Sequence, residues 1–200
     1  MPEHGDPSPP ARVPYIFPAE GTNEAADVIR ERRGARGLID LDGVLMNAEP
    51  IALGWNELAG AIRTKTTLPA DQMELLILRV AMLNGSTYVW RAHAPLGLAA
   101  GLTSSDLHAI RTAPPFSALS TSTALSPIYV ALLDYADQMT RNVLVPEPTF
   151  SRLKELLGND NRKIVEVTTT VAGYNFSTRV LRALNVAGLG EVEVPVPELD

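Results

Sequence analysis

The sequence contains no cysteine. That absence removes disulfides, thiolate metal sites, iron–sulfur ligation and every cysteine nucleophile, and with them all thiol redox chemistry. Histidine is almost as scarce: His4, His93 and His108 are the three, and they are too far apart to suggest an imidazole triad around a metal. Lys and Arg number 17 against 23 Asp and Glu, for a net charge of −6 and a pI near 5.1. The basic residues are scattered rather than clustered, so neither nucleic acid nor an anionic membrane is an expected partner. No window approaches the ~18 to 20 consecutive apolar residues that a spanning helix needs. The opening "MPEHGDPSPPARVPYIFP" lacks a basic stretch followed by an apolar one. The expectation is a soluble, cytoplasmic protein that acts on a small molecule.

What is present suits a folded core. The 200 residues are 46% hydrophobic and 20% charged, close to the globular average and enough for one good-sized domain. That domain is expected over residues 21–190, between a Pro-rich arm at 1–20 and an acidic, strand-like tail at 191–200. Prolines at 2, 7, 9, 10, 14 and 18 predict an extended arm.

Helical signals dominate the rest. "TNEAADVIRERRG" (22–34) has N-cap candidates in Thr22 and Asn23, acids in the first turn, arginines in the last and a glycine stop. "EPIALGWNELAGAIRT" and "TTLPADQMELLILRVAMLNG" read as helices by their 3.6-residue spacing, the second with Pro69 in its first turn and a stop at Gly85. A further helix is expected from Ser86 to Ala100, ending at Gly101, with a kink at Pro95. "LTSSDLHAIR" carries a capping box from Thr103 to Asp106. Residues 113–126 predict a loop before "PIYVALLDYADQMTRN", and "TFSRLKELLG" and "NRKIVEVTTTVAGYNFSTRVLRALNVAG" predict two more helices. "KIVEVTTTV" alone has strand propensity. Its surroundings favour helix, because "E…RVA…N…AGL" in residues 74–102 echoes "E…TVA…N…AGL" in 166–189, which implies two similar helical hairpins.

The candidate chemistry lies in the central helices. On a helix from Ser86, a step of ~100° per residue puts Ser86, Trp90 and His93 on one stripe, with Val89 at its edge and Tyr88 pointing elsewhere. A turn at Gly85 would bring Glu74 back towards His93, and a carboxylate on one imidazole nitrogen fixes the tautomer and raises the basicity of the other. Each residue also has a purely structural reading. His93 can be a core histidine bonded to a carbonyl or water, Glu74 a helix-dipole partner, Ser86 an N-cap, Trp90 core, and Tyr88 packing with its hydroxyl at an edge.

The stretch "LPADQMELLILRVAMLNGSTYVWRAHAPLGLAAGL" (68–102) resembles the central hairpin of the carboxymuconolactone decarboxylase and alkyl hydroperoxidase D superfamily. The likeness continues into "GLTSSDLHAIR" and "VEVTTTVAGYNFSTRVLRALNV" and so spans most of residues 38–189. It implies an all-α helical bundle of that type with two pseudo-repeated hairpins, assembled as a homotrimer or homohexamer, with the Pro-rich arm suited to lie across a neighbour. In the peroxidase branch the pattern is a glutamate, then Cys-x-x-Cys, then a histidine four residues on. By spacing it falls on Glu74, Ser86, Val89 and His93. Both cysteine positions are changed while the acid and the imidazole are kept, so a thiol peroxidase is excluded.

The decarboxylase branch works without cofactor or metal, and the resemblance implies the same here. The expected activity is acid/base decarboxylation of a small oxygenated organic acid or lactone. Glu74 and His93 would carry the proton, Tyr88 or Ser86 would meet the developing oxyanion, and Trp90, Met82, Tyr129 and Asn175 would shape the substrate site. Isomerisation or cyclisation by the same pair is the alternative, as is a non-catalytic, ligand-binding helical oligomer.

Overall fold

The computed structural model describes residues 9–117 and 125–198. The fold is all-α, with no strand among the described residues. The chain divides into two compact units. One runs up to Lys65 and includes Val180–Glu191; the other comprises Thr66–Arg179 and the segment from Val192.

The first unit is built on three helices, α1 (Glu24–Arg33), α2 (Asp40–Leu45) and α3 (Glu49–Thr64), with α3 packed against both of the others. Asn23 caps α1 by accepting from the Ala26 N–H at 2.9 Å, which settles between the two candidates. Arg33 makes a two-pronged pair with Asp42, 2.7 Å on each arm, which ties the end of α1 to α2. Residues 9–18 form no helix or strand. They are held by bonds within the unit: Ile16 N–H to the Gly43 carbonyl at 2.9 Å, Arg12 N–H to the Leu184 carbonyl at 2.7 Å, and Tyr15 stacked on Phe17. The rest of the Pro-rich arm lies outside the described residues.

The second unit holds α4 (Ala70–Leu83), α5 (Thr87–Ala99), α6 (Ser104–Thr112), α7 (Pro127–Arg141), α8 (Glu147–Leu156) and α9 (Asn161–Ala183), the last turn of α9 belonging to the first unit. Helix α4 is its axis. Every residue from Met73 to Ala81 is buried, as expected of a helix that is apolar all round and packed on several sides. Its neighbours are α5, α6 and α7. Two ionisable side chains, Glu74 and Arg79, interrupt the apolar run. Arg79 is fully buried and pairs with Asp137 on α7 at 2.6 and 2.7 Å, while its remaining nitrogen donates to the Ile110 and Ala113 carbonyls at 2.9 Å each. Asp137 also accepts from the Phe116 N–H at 3.1 Å, so the end of α6 and the start of the next segment are held with α4 and α7. Of the loop expected at 113–126, residues 118–124 lie outside the described residues.

Most boundaries follow the local signals. The reciprocal Thr103–Asp106 box is formed. Pro69 precedes the first residue of α4 instead of entering its first turn, and α8 begins two residues before the expected "TFSRLKELLG", with Pro148 tolerated in its first turn. Helix α5 continues through Pro95 to Ala99. Pro95 and Arg91 are both exposed, so solvent can reach the carbonyl whose helical bond the proline removes.

"KIVEVTTTV" is helical despite its strand propensity. Thr168, Thr169 and Thr170 turn their hydroxyls back to the carbonyls four residues earlier at 2.7–2.8 Å, and Val167 and Val171 are fully buried. Tertiary packing decides over propensity here. The echo is only partly structural. Its first copy forms the α4–α5 hairpin, whereas residues 166–183 of the second run as one uninterrupted helix followed by a 3-10 turn at Val186–Gly188. The described part of the C-terminal tail is extended and not wholly on the surface: Val194 is buried, and the carbonyls of Val192 and Val194 accept from Thr87 and Arg111.

Candidate functional site

The α4–α5 turn sets the geometry. Gly85 takes φ +65°, its N–H bonds the Met82 carbonyl at 3.0 Å, and the Ser86 N–H bonds the Ala81 carbonyl at 2.7 Å. This paired closure of a helix end, with glycine in the left-handed region, reverses the chain so that α5 runs back along α4. A second glycine brings the two helices close. A methyl group at Gly97 would lie 3.0 Å from Leu102, 3.1 Å from Leu78 and 3.8 Å from the Glu74 Cβ. Residue 97 is one turn beyond His93, and no larger side chain fits without displacing neighbours.

At that close approach the Glu74 carboxylate meets the His93 ring, Oε2 to Nδ1, at 2.7 Å. The side chains are 3% and 14% exposed, respectively. An ionised carboxylate only accepts hydrogen bonds, so the shared proton is on Nδ1, and Nε2 carries a lone pair whenever the ring is neutral. The hydroxyl of Tyr174, on α9, stands 3.4 Å from Nε2. Its ring meets the imidazole edge-on, with centroids 5.2 Å apart and planes at 89°, a geometry that contributes about 0.5–1.5 kcal/mol beyond burial. Glu74, His93 and Tyr174 thus form a line across three helices.

The other expected site residues are placed as follows. Ser86 precedes α5 as its N-cap without making a side-chain cap bond, and its buried Oγ has no hydrogen-bond partner among the described residues. Tyr88 and Trp90 are buried on α5, and Met82 is half-buried near the end of α4. Tyr129, on α7, donates its hydroxyl to Asp71, one turn before Glu74 on α4. Burial, with that bond and the charges of Asp71 and Asp106, raises the Tyr129 phenol far above its ordinary value. Asn175 joins a polar network: it accepts from Asn84 at 3.0 Å and donates to Thr140 at 3.0 Å, while Asn84 also donates to Thr178 at 2.9 Å. Among the described residues no group of three or more His, Cys, Asp or Glu is placed to hold a metal ion.

Sequence reasoning brought Glu74 and His93 together and missed Tyr174 and Gly97. Tyr174 is 81 positions from His93, and its only trace was its place beside Asn175 in the echoed "TVAGYN". The signal for Gly97 was a glycine inside a helix, which usually marks close approach.

Residues 50–126 match the Carboxymuconolactone decarboxylase family. They include both Glu74 and His93. Over that stretch the chain is similar to this family. Two solved structures share the fold. An uncharacterised peroxidase-related protein from Silicibacter sp. TM1040 superposes with a TM-score of 0.70 at 14% identity, covering 94% of this chain and 98% of its own. A protein of unknown function from Agrobacterium tumefaciens, a candidate antioxidant-defence protein AhpD, gives 0.61 at 16% identity over 76% of this chain and 96% of its own. No curated protein matches the chain significantly. At such identities the two structures establish the fold alone. Tyr129, Tyr174 and Asn175 lie beyond the matched region. Among the described residues no helix is long and apolar enough to cross a membrane.

Proposed function

We propose that this protein is a member of the carboxymuconolactone decarboxylase and AhpD-like superfamily and a cofactor-independent carboxy-lyase acting on a small oxygenated organic acid or lactone. The reading rests on one observation: the buried Glu74–His93 pair at 2.7 Å, inside the family-matched region of a chain without thiols. In such a reaction the bond between the carboxylate carbon and its neighbour breaks, CO₂ leaves, and the electron pair stays behind as an enolate or dienolate. A proton from imidazolium His93 then passes to carbon. This leaves neutral His93 with Nδ1 still bound to the Glu74 carboxylate, and solvent restores the proton. General acid help of this kind contributes roughly 10²–10⁴-fold. Buried Trp90 supplies apolar surface, which favours losing the substrate's charge. Ser86 is the oxyanion donor in this reading, because its buried Oγ has no other partner among the described residues.

The test is release of CO₂ from a panel of β-keto acids and carboxylated unsaturated lactones by wild type, His93→Gln and Glu74→Gln. One panel member should be turned over with no added metal and after dialysis against chelator. His93→Gln should abolish that turnover with circular dichroism unchanged. Turnover by His93→Gln at the wild-type rate removes the site, and no CO₂ from any panel member removes the reaction. A homotrimer or homohexamer is part of the proposal, and gel filtration at the 21.5 kDa monomer position would remove it.

A further inference from the structure

We propose that Tyr174 is the terminal group of the proton path, so that its phenol, rather than Nε2 of His93, exchanges the proton with substrate. The inference rests on the acid/base reading above and assigns the reacting atom within it. Three features carry it. First, the Glu74 carboxylate occupies Nδ1, leaving Nε2 as the imidazole's one nitrogen for transfer, and the Tyr174 hydroxyl stands in front of that atom at 3.4 Å. Second, the O–H···N separation exceeds the usual 2.7–3.2 Å; the contact has the slack that catalytic bonds show before substrate tightens them. Third, the next residue is anchored. Asn175 bonds Asn84, the residue that ends α4, and Thr140 on α7, and the Thr178 hydroxyl bonds the Tyr174 carbonyl at 2.6 Å. The phenol is thus presented from a fixed segment of α9, as a reacting group needs to be.

The step balances. With His93 protonated, Nε2–H donates to the Tyr174 oxygen and the phenolic hydrogen faces the carbanion. The Tyr174 O–H bond breaks as the C–H bond forms, and the Nε2 proton moves to the phenol oxygen. Tyr174 is again neutral, His93 is neutral and hydrogen-bonded through Nδ1 to Glu74, and one proton from solvent recharges the ring. Run in reverse, the same line removes a proton from carbon.

The test is Tyr174→Phe in the full-length protein, which keeps the edge-on ring contact and removes only the hydroxyl. Two readouts are taken: CO₂ release from the turned-over lactone or keto acid, and the ¹⁵N-NMR titration of His93. The titratable groups that meet the ring include Glu74 on α4 and Tyr174 on α9. The hydroxyl donates to the neutral ring and accepts from the charged one, so its removal should move the His93 midpoint away from the wild-type value, and kcat should fall roughly 10²-fold with KM little changed. Unchanged or increased kcat would overturn the proposal while leaving the carboxy-lyase reading intact, since Nε2 would then reach substrate directly. If wild type releases no CO₂ from any probe, the titration decides by itself. A moved midpoint supports the coupled line and counts only against the choice of reaction, and an unmoved midpoint overturns the line.

Discussion

Replacing Arg79 with methionine should destabilise the fold by about 3–5 kcal/mol, the usual cost of breaking a buried ion pair by removing one partner. The guanidinium is fully buried and makes two bonds to Asp137 and two to the carbonyls of Ile110 and Ala113. Methionine fills much of the same volume, so little of the loss comes from a cavity. It comes from a carboxylate left in the core without its cation, with the Phe116 N–H still donating to it, and from two carbonyls left without the bonds Arg79 gave them. Against a typical total of about 5–15 kcal/mol, that is a third or more of the stability. A change of this size corresponds to roughly 6–20 °C in melting temperature for a chain of this length. Urea unfolding followed by circular dichroism and tryptophan fluorescence would measure it. The double variant Arg79→Met with Asp137→Leu should recover most of the loss, because an apolar pair of similar volume removes the orphaned charge. A single variant costing under about 1 kcal/mol, or a double variant no better than the single, would refute this account of how α4 is held to α7.

Three further outcomes are expected. Gly97→Val should cost about 1–3 kcal/mol by overpacking against Leu78 and Leu102, and it should cut activity by more than the stability loss explains, since the same contact holds Glu74 against His93. Burial by itself would raise the Glu166 carboxyl, but its bonds to Arg162 and to the Thr67 side chain and backbone outweigh that and hold it below its ordinary value of 4.5. Its contribution is therefore present in full above the ordinary carboxylate range and lost as pH falls through the folded value, so Glu166→Gln should flatten the decline in stability measured below about pH 5. Thr103→Ala should cost about 1 kcal/mol in thermal unfolding by opening the capping box of α6.

Helix starts were legible because the signals that set them are local. An Asn or Thr side chain reaches a backbone N–H three residues on, and that spacing is written directly in the chain, as at Asn23 and Thr103. The Glu74–His93 pair was legible for a related reason: one glycine turn separates two helices, so its geometry follows from short-range rules. Tyr174 was not, since nothing local joins it to His93. Asn175, which was expected at the substrate site, is the next residue on the helix, ~100° around the axis from Tyr174. The second copy of the echo does not form a hairpin within itself, because α9 runs on through Gly173 and Asn175 to Ala183 without reversing. Arg79 was a missed opportunity, because a lone guanidinium within "MELLILRVAML" cannot be buried unpaired and so predicts a carboxylate partner elsewhere.

The start of α5 and the Glu74–His93 contact are held by different residues. Ser86 and Val89, which occupy the cysteine positions of the related peroxidase pattern, are buried at the start of the helix. They are small side chains, and a change of chemistry there alters what the core contains more than where the helix sits. The placement of α5 against α4 depends instead on Gly85 at the turn and Gly97 at the close approach, and His93 lies between them. The side chains at 86 and 89 can thus change while the Glu74–His93 contact keeps its 2.7 Å geometry. On this argument, restoring Cys-x-x-Cys through Ser86→Cys with Val89→Cys should leave the Glu74–His93 bond and the melting temperature nearly unchanged. A large loss of stability in that variant would show that the apolar Val89 and the uncharged Ser86 are required to hold the helix in place.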